Sequence, residues 1–261
     1  MKRTLSLFWV LPCLTLLVLA AAGCHHGSGK KASNDPILKL SAEESLAQGK
    51  AMLAQKKYAR ARPFFTHAFE VEPNSVTGRE ALLLSADTYY LEAGAANYVQ
   101  AEAKYRDYLN RFPTSDQSAY VQFQIANSLA KRMERPDRDQ EVTRKALEAY
   151  DDLVRLYPTS EYADQAKEQS QVVRANLAEH EFLVGLFYLR YGAPQAAIGR
   201  FEYLLKTYPS YAEKDKAIYY LGVAYGNNKK PEESKKAFER LKKEFPQSPY
   251  VSDVPEQKAG Q

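Results

Sequence analysis

One short phrase recurs five times along this chain of 261 residues and divides it into segments of similar length. Each copy contains a proline followed within two residues by a serine, and the prolines are Pro73, Pro113, Pro158, Pro209 and Pro246. Proline cannot continue a helix, so each copy is expected to end one. Self-similarity at a period of tens of residues is typical of a solenoid built from stacked units.

The residues that precede each proline test this interpretation. Twelve positions upstream stand the small residues Ala61, Ala101, Ala146, Ala197 and Ser234. Eight positions upstream stand the aromatic residues Phe65, Tyr105, Tyr150, Phe201 and Phe238. Five positions upstream stand Ala68, Tyr108, Leu153, Leu204 and Leu241. Spacings of four and three place these positions on one helical face, and the pattern predicts the second helix of a tetratricopeptide (TPR) unit.

The first helix of each unit is predicted to pack closely on the second. Gly49, Gly185 and Gly222 lie twenty-four positions before a repeat proline. Glycine within a helix costs about 1 kcal/mol relative to alanine, so its presence indicates a close backbone contact. In repeat two the small residue is Ala86, and in repeat three it is Ala126. Both are displaced from the glycine position, so the sequence predicts inserts between the two helices of each repeat, at residues 92–99 and 131–143.

Helix starts and segment bounds complete the predicted architecture, an all-α TPR superhelical solenoid of about five helix-turn-helix repeats. Capping boxes are predicted at residues 41–44 and 77–80, and first-turn prolines at Pro194 and Pro231. Residues 161–190 are predicted to form one long helix. The predicted bounds are a polar, flexible tether at residues 24–40, N-terminal repeats one and two at 41–115, C-terminal repeats three to five at 116–250, and a frayed tail at 251–261.

The N-terminus has the layout of a secretory signal over residues 1–23, with a basic head, an apolar run and small residues before Cys24. A cysteine in that position is similar to a bacterial lipobox and is predicted to be acylated, although Ala21 stands where lipoproteins usually carry Leu. The alternative is an ordinary signal peptide with an incidental cysteine. His25 follows Cys24, and by resemblance to the sorting rule of Gram-negative lipoproteins this favours the periplasmic face of the outer membrane.

The composition and the motifs favour a binding scaffold over an enzyme. Removal of Lys2 and Arg3 with the signal lowers the formal net charge from +4 to about +2, which argues against nucleic acid. We predict no catalytic residue, cofactor or metal site. His67 is expected to cap a helix or face solvent.

The third repeat contains a cluster of acidic and basic residues at 135–139. Asp137, Arg138 and Asp139 are predicted to dock a partner. The alternative is a solvated loop in which Asp139 caps the next helix.

The stretch RPDRDQ at 135–140, the stretch ALEAYDDLVRLYPTSEYA at 146–163 and the stretch LAEHEFLVGLFY at 177–188 resemble the BamD family. That family comprises TPR lipoproteins of the outer-membrane β-barrel assembly machinery. The resemblance implies a membrane-anchored protein that binds the POTRA region of the barrel subunit BamA and other assembly lipoproteins, and that helps to receive unfolded outer-membrane proteins.

The resemblance also implies residue roles. Arg200 matches a family arginine associated with BamA communication, and the alternative is a solvated charge beside Phe201. Phe64, Tyr89 and Tyr90 are candidates for lining a groove for client peptides, or else core residues. Two rival functions stay open: another envelope TPR lipoprotein, such as a secretin pilotin or a Tol-linked cell-division coordinator, and an envelope hydrolase with a TPR accessory domain.

Overall fold

The computed structural model describes residues 35–255, and this range is all helical. A short 3-10 helix, Pro36–Lys39, comes first, and another, Pro249–Val251, comes last. Between them lie α1 (Ala42–Ala54), α2 (Tyr58–Val71), α3 (Val76–Glu92), α4 (Ala95–Arg111), α5 (Ser118–Ala130), α6 (Glu141–Leu156), α7 (Ala163–Arg190), α8 (Pro194–Thr207), α9 (Lys214–Asn227) and α10 (Pro231–Glu244).

The ten α-helices pair into five repeats, from α1–α2 to α9–α10, and each helix packs against the next one along the chain. The long helix predicted at residues 161–190 is α7, and Pro194 and Pro231 occupy the first turns of α8 and α10. The predicted fold class, an all-α TPR solenoid, is therefore confirmed.

The repeat positions form the core of the solenoid. All fifteen small, aromatic and apolar positions upstream of the repeat prolines are buried. A Cβ atom built on Gly49, Gly185 or Gly222 would lie 2.5 Å from Cε1 of Phe65, Phe201 or Phe238 respectively. These distances are shorter than van der Waals contact, so only glycine lets the two helices of these repeats approach this closely.

In repeats two and three, the two helices make a different contact. Ala86 and Ala126 replace the glycine and are fully buried. The aromatic residue of the second helix is here a tyrosine whose hydroxyl donates to a polar side chain on the first helix. Tyr105 bonds to Asp87 Oδ1 at 2.6 Å, and Tyr150 bonds to Asn127 Oδ1 at 2.7 Å.

Two local predictions in repeat two are wrong. The capping box at residues 41–44 forms as predicted, but Thr77 lies inside α3, and Ser75 caps that helix by accepting from the Gly78 N–H at 2.9 Å. Residues 92–99 are not a loop insert, because α3 continues through Glu92 and α4 begins at Ala95. The extra residues lengthen both helices, leaving a turn of two residues between them.

Both ends of the described range are more ordered than predicted. The tether was expected to extend to residue 40, but Pro36–Lys39 form a helix that packs on α2. His67 was expected to cap a helix or face solvent; it is buried, with Nε2 3.1 Å from the Leu40 carbonyl oxygen. In the predicted tail, Val254 packs against the core of the last repeats.

The predicted signal and Cys24 lie outside the described residues. Over residues 35–255, no helix is both long and apolar enough to cross a membrane.

Candidate partner-binding surfaces

The segment 131–140, which we call the insert loop, joins α5 to α6 and is held by side chains that donate to its backbone carbonyls. The amide of Gln140 donates to the carbonyls of Arg135 and Arg138, at 2.8 and 3.1 Å. Asn176 of α7 donates to the Glu134 carbonyl at 3.1 Å. Backbone carbonyls held in this way fix the path of a loop that lies outside the helices.

A fourth bond ties the centre of the insert loop to α7. His180 Nδ1 lies 2.7 Å from the Pro136 carbonyl oxygen, and it must be the donor because a carbonyl only accepts. His180 thus has a structural partner 44 residues away in the chain. The Pro136 backbone offers no sequence signal for this contact, so sequence reasoning missed it.

The held backbone of the insert loop presents charges to solvent. The side chains of Arg135, Asp137 and Arg138 are 71%, 50% and 64% exposed, and Arg135 pairs with Asp137 at 3.0 Å. Asp139 differs from them because its Oδ1 accepts from the Glu141 N–H at 2.9 Å, at the start of α6. All three residues of the predicted trio are exposed, and Asp139 in addition accepts from the first N–H of α6, one residue before the N-cap Gln140, close to the capping role of the alternative interpretation.

Arg200 lies on α8 and is tied to the same long helix. Its Nη1 donates to Glu181 Oε2 at 2.9 Å; the Arg200 side chain is 43% exposed, whereas that of Glu181 is 8% exposed. Consecutive residues of α7, His180 and Glu181, thus hold the insert loop and Arg200 respectively. Arg200 is neither a free surface charge nor a core residue: it neutralises a buried carboxylate and shows the rest of its guanidinium to solvent.

A separate groove of about 590 Å³ lies between the first helices of repeats two and three. One wall is a face of α3, and the opposite side is formed by the segment before α5, the start of α5 and Tyr162. The lining residues are Val76, Arg79, Glu80, Leu83, Leu84, Asp87, Tyr108, Ser115, Asp116, Gln117, Tyr120 and Tyr162. We call this site the α3–α5 groove.

Asp87 is the polar centre of the α3–α5 groove. Its Oδ1 accepts hydrogen bonds from the hydroxyls of Tyr105 and Tyr120, at 2.6 and 2.9 Å. Burial raises the pKa of Asp87, and the two hydroxyl bonds partly oppose that rise. Burial also raises the pKa values of Tyr105 and Tyr120, and the adjacent carboxylate raises them further, so both hydroxyls stay protonated and act as donors.

The three predicted groove residues lie elsewhere. Phe64 is partly buried on α2. Tyr89 lies under the Arg62 guanidinium, 3.8 Å from ring centroid to Cζ, and Tyr90 packs against Tyr98 with centroids 5.7 Å apart. None of the three lines the α3–α5 groove. Sequence reasoning missed Asp87, Tyr120 and Tyr162, because only the packing of α3, α5 and the start of α7 brings them together.

A group of three or more His, Cys, Asp or Glu side chains able to hold a metal ion is not found within residues 35–255.

Comparison with known proteins places the chain in a family. The model of the YfiO family, described as an outer membrane lipoprotein, matches residues 39–230, and a tetratricopeptide repeat model matches residues 216–248. The first match covers well over half of the chain. The chain belongs to the YfiO family.

Curated relatives carry the name that the sequence resemblance implied. The outer membrane protein assembly factor BamD of Rickettsia prowazekii (strain Madrid E) is 28% identical over 243 residues, which cover 93% of this chain and 94% of the relative. The protein of the same name from Caulobacter vibrioides is 25% identical over 252 residues, covering 96% and 82%. The predicted resemblance to BamD is therefore confirmed.

Among solved structures, the chain is similar to the TPR2AB domain of yeast Sti1 in a pHSP90 complex, with 16% identity, a TM-score of 0.42 and 78% of each chain covered. It is also similar to a MamA protein, with 15% identity and a TM-score of 0.36, covering 82% of this chain and 96% of that one.

Proposed function

We propose that this chain is a lipid-anchored scaffold, not an enzyme, that serves in the assembly of outer-membrane β-barrel proteins. In this role Cys24 carries the anchor at the periplasmic face of the outer membrane. The C-terminal repeats dock the POTRA region of a BamA-like barrel subunit, and the N-terminal repeats receive unfolded outer-membrane proteins. The assembly-factor names of its relatives support the general role.

The observation that carries the docking proposal is the fixed geometry of the insert loop. A loop that is already held in one conformation loses little conformational entropy on binding, which favours its use as a contact surface. Side chains of Asn176, His180 and Gln140 hold its carbonyls, while Arg135, Asp137 and Arg138 remain exposed. A partner that offers complementary carboxylates and a cation would meet these groups without rearranging them.

Arg200 supplies a second proposed contact, on α8. A guanidinium has five N–H donors, and the bond to Glu181 uses one of them. The exposed part can accept a partner carboxylate, so that Arg200 would bridge Glu181 and the partner. Because Glu181 is buried, however, Arg200→Glu would also leave that carboxylate unpaired beside a like charge and lower the stability of the protein.

Charge reversal in the insert loop gives a cleaner test of docking. Arg138→Glu removes an exposed cation, and we expect the folded protein to keep its melting temperature but bind the POTRA region more weakly. The matched control is Arg60→Glu, another exposed arginine, on α2 in the first repeat. Equal loss of POTRA affinity in both variants, or no loss with Arg138→Glu, would contradict docking through the insert loop.

Capture from detergent-solubilised envelopes identifies the partner. The wild-type chain should recover a β-barrel protein with POTRA domains. Recovery of Tol components or of a secretin instead would reject this assignment in favour of a rival envelope lipoprotein.

The anchor is tested by cell fractionation. Cys24→Ala should release the protein from membranes into the soluble periplasmic fraction, because the variant lacks the thiol that carries the proposed lipid anchor. Mass spectrometry of the wild-type N-terminus should show an acylated Cys24. An unmodified cysteine, or cleavage at another position, would contradict lipidation.

A further inference from the structure

The α3–α5 groove combines apolar walls with an unneutralised carboxylate. Along α3, Val76, Leu83 and Asp87 follow one another at intervals of seven and four residues, so they lie on one face of the helix. Val76 is 72% exposed, so its apolar surface is open to a ligand. The groove therefore offers apolar surface at one end of α3 and a carboxylate nearer the other end.

Asp87 has hydrogen-bond donors but no cation. Both tyrosine hydroxyls bond to the same oxygen, Oδ1, and among residues 35–255 we find no donor to Oδ2. No lysine or arginine contributes to its pKa. The one cation that lines the groove, Arg79, lies eight residues earlier on α3, a rise of about 12 Å along the helix. A carboxylate in this position gains from a positive charge that a ligand brings.

The groove as a whole has more acidic than basic side chains in its lining. Its lining contains Glu80, Asp87 and Asp116 against the single cation Arg79. Glu80 is paired with Lys50 at 2.7 Å, whereas Arg79 lies over the Phe112 ring with 5.8 Å from Cζ to the centroid. Among the described residues, Asp87 and Asp116 are thus the acidic side chains of the lining that no lysine or arginine pairs with.

Aromatic rings flank Asp87 on the side of the third repeat. Tyr120 bonds to Asp87 and packs against Tyr162, with ring centroids 5.7 Å apart. Tyr162 in turn stacks on Phe123 at 5.4 Å, which fixes its position. Tyrosine rings beside a carboxylate suit the aliphatic stem and the charged head of a lysine or arginine side chain.

We propose that the α3–α5 groove binds an extended polypeptide segment by seating a lysine or arginine side chain on Asp87, alongside the rings of Tyr120 and Tyr162, with neighbouring apolar residues against Val76 and Leu83. This site differs from the one expected at Phe64, Tyr89 and Tyr90. The inference rests on the proposed function only for the source of the segment, an unfolded outer-membrane protein. The preference for a cation follows from the groove itself.

Matched peptides test the preference for a cation. Three fluorescently labelled peptides of about ten residues, with the alternating apolar and polar residues of a barrel strand, would carry lysine, norleucine or glutamate at one central position. Fluorescence anisotropy with the full mature protein measures the three dissociation constants. A charge-assisted bond contributes about 1.5–3 kcal/mol, so the lysine peptide should bind about tenfold or more tightly than the norleucine peptide. The glutamate peptide should bind weakest.

Asp87→Asn assigns the effect to one residue. The amide oxygen can still accept from Tyr105 and Tyr120, so the fold is preserved while the charge is removed. The variant should bind lysine and norleucine peptides with equal affinity and should lose the salt dependence of lysine binding. Glu148→Gln, an exposed acid on α6, is the control and should behave as wild type.

Three results would overturn the proposal. They are equal binding of the lysine and norleucine peptides to wild type, an unchanged preference for lysine in an Asp87→Asn variant that keeps its helical content, and no binding of any of the three peptides. The proposed function fails by a different result, since capture of Tol components or a secretin leaves the peptide measurements unaffected.

Discussion

Repeats one, four and five differ from repeats two and three in how their two helices meet. In the first group, a glycine on the first helix receives the ring of a phenylalanine, with 2.5 Å between the built Cβ and Cε1. In the second group, an alanine replaces the glycine, and a tyrosine hydroxyl bonds to the polar residue that follows the alanine. One contact is apolar and depends on the absence of a side chain, and the other has a polar component.

The difference accounts for where a binding site can form. An apolar contact between two helices leaves no group that a ligand could recognise, whereas the tyrosine contact needs a carboxylate or an amide at the edge of the helix pair. In repeat two that residue is Asp87, which also lines the α3–α5 groove. The carboxylate that accepts a hydrogen bond from the Tyr105 hydroxyl in the packing of repeat two is thus also the charged group of the groove.

The largest effect is expected where a side chain is added to a glycine contact. Gly222→Leu would drive side-chain atoms into the Phe238 ring, and overpacking of this kind costs about 1–3 kcal/mol of unfolding free energy. Urea unfolding measures it.

The control for Gly222→Leu is Gly199→Leu on α8, where a Cβ would meet no atom within 4 Å. Because glycine is a poor helix former, this variant should be as stable as wild type or slightly more stable. Equal stability of the two variants would show that the glycine contact does not limit the approach of the helices.

The next effect concerns a hydroxyl without a partner. Phe201→Tyr adds a hydroxyl to a fully buried ring in a repeat where Leu186, not Asp or Asn, follows the glycine. A buried hydroxyl without a hydrogen bond costs about 1–3 kcal/mol, measured again by urea unfolding.

A double-mutant cycle sharpens this test. Leu186→Asn combined with Phe201→Tyr recreates the arrangement of repeat three, so the two changes together should cost less than the sum of their separate costs. Strict additivity would mean that the polar residue after the small residue does not determine which aromatic residue fits.

The repeat register could be predicted from the sequence because each of its three positions is set by local helical spacing. The glycine contacts could be predicted as well, since a poor helix former at the same distance before three of the five repeat prolines needs a packing reason. The Asp87 cluster could not be predicted in the same way: its tyrosines lie 18 and 33 residues away in the chain. Likewise, the bond from His180 to Pro136 spans 44 residues and involves a backbone carbonyl, which every residue carries.

Removing the tyrosine hydroxyl in repeat three should lower the unfolding free energy less than adding a hydroxyl in repeat four. Tyr150→Phe loses one hydrogen bond to Asn127, worth about 0.5–1.5 kcal/mol, and keeps the ring in place. Tyr191→Phe is the control, since Tyr191 is 76% exposed and should tolerate the change. If Tyr150→Phe is as stable as Tyr191→Phe, the hydroxyl contact of repeat three contributes nothing measurable.

A pH-dependent effect separates repeats two and three, because Asp87 titrates and Asn127 does not. Burial raises the pKa of Asp87 above its ordinary value of 3.8, so the folded state holds this proton more tightly than the unfolded state. Its contribution to stability is therefore fully present below pH 3.8 and is lost as the pH rises through the raised pKa. Asp87→Asn should remove that loss, and its unfolding free energy relative to wild type should increase from pH 3 to pH 7, at about 1.4 kcal/mol for each unit of pKa difference.

The reciprocal change transfers this pH dependence to repeat three. Asn127→Asp places a carboxylate against the Tyr150 hydroxyl, as Asp87 stands against Tyr105. The stability of this variant relative to wild type should fall over the same pH range, because the new carboxylate must ionise in a partly buried site. Urea unfolding at a series of pH values measures both differences, in which the titration of all other carboxylates cancels. If neither difference varies with pH, the carboxylate of repeat two is as well solvated in the folded chain as in the unfolded one, and repeats two and three are equivalent in this respect.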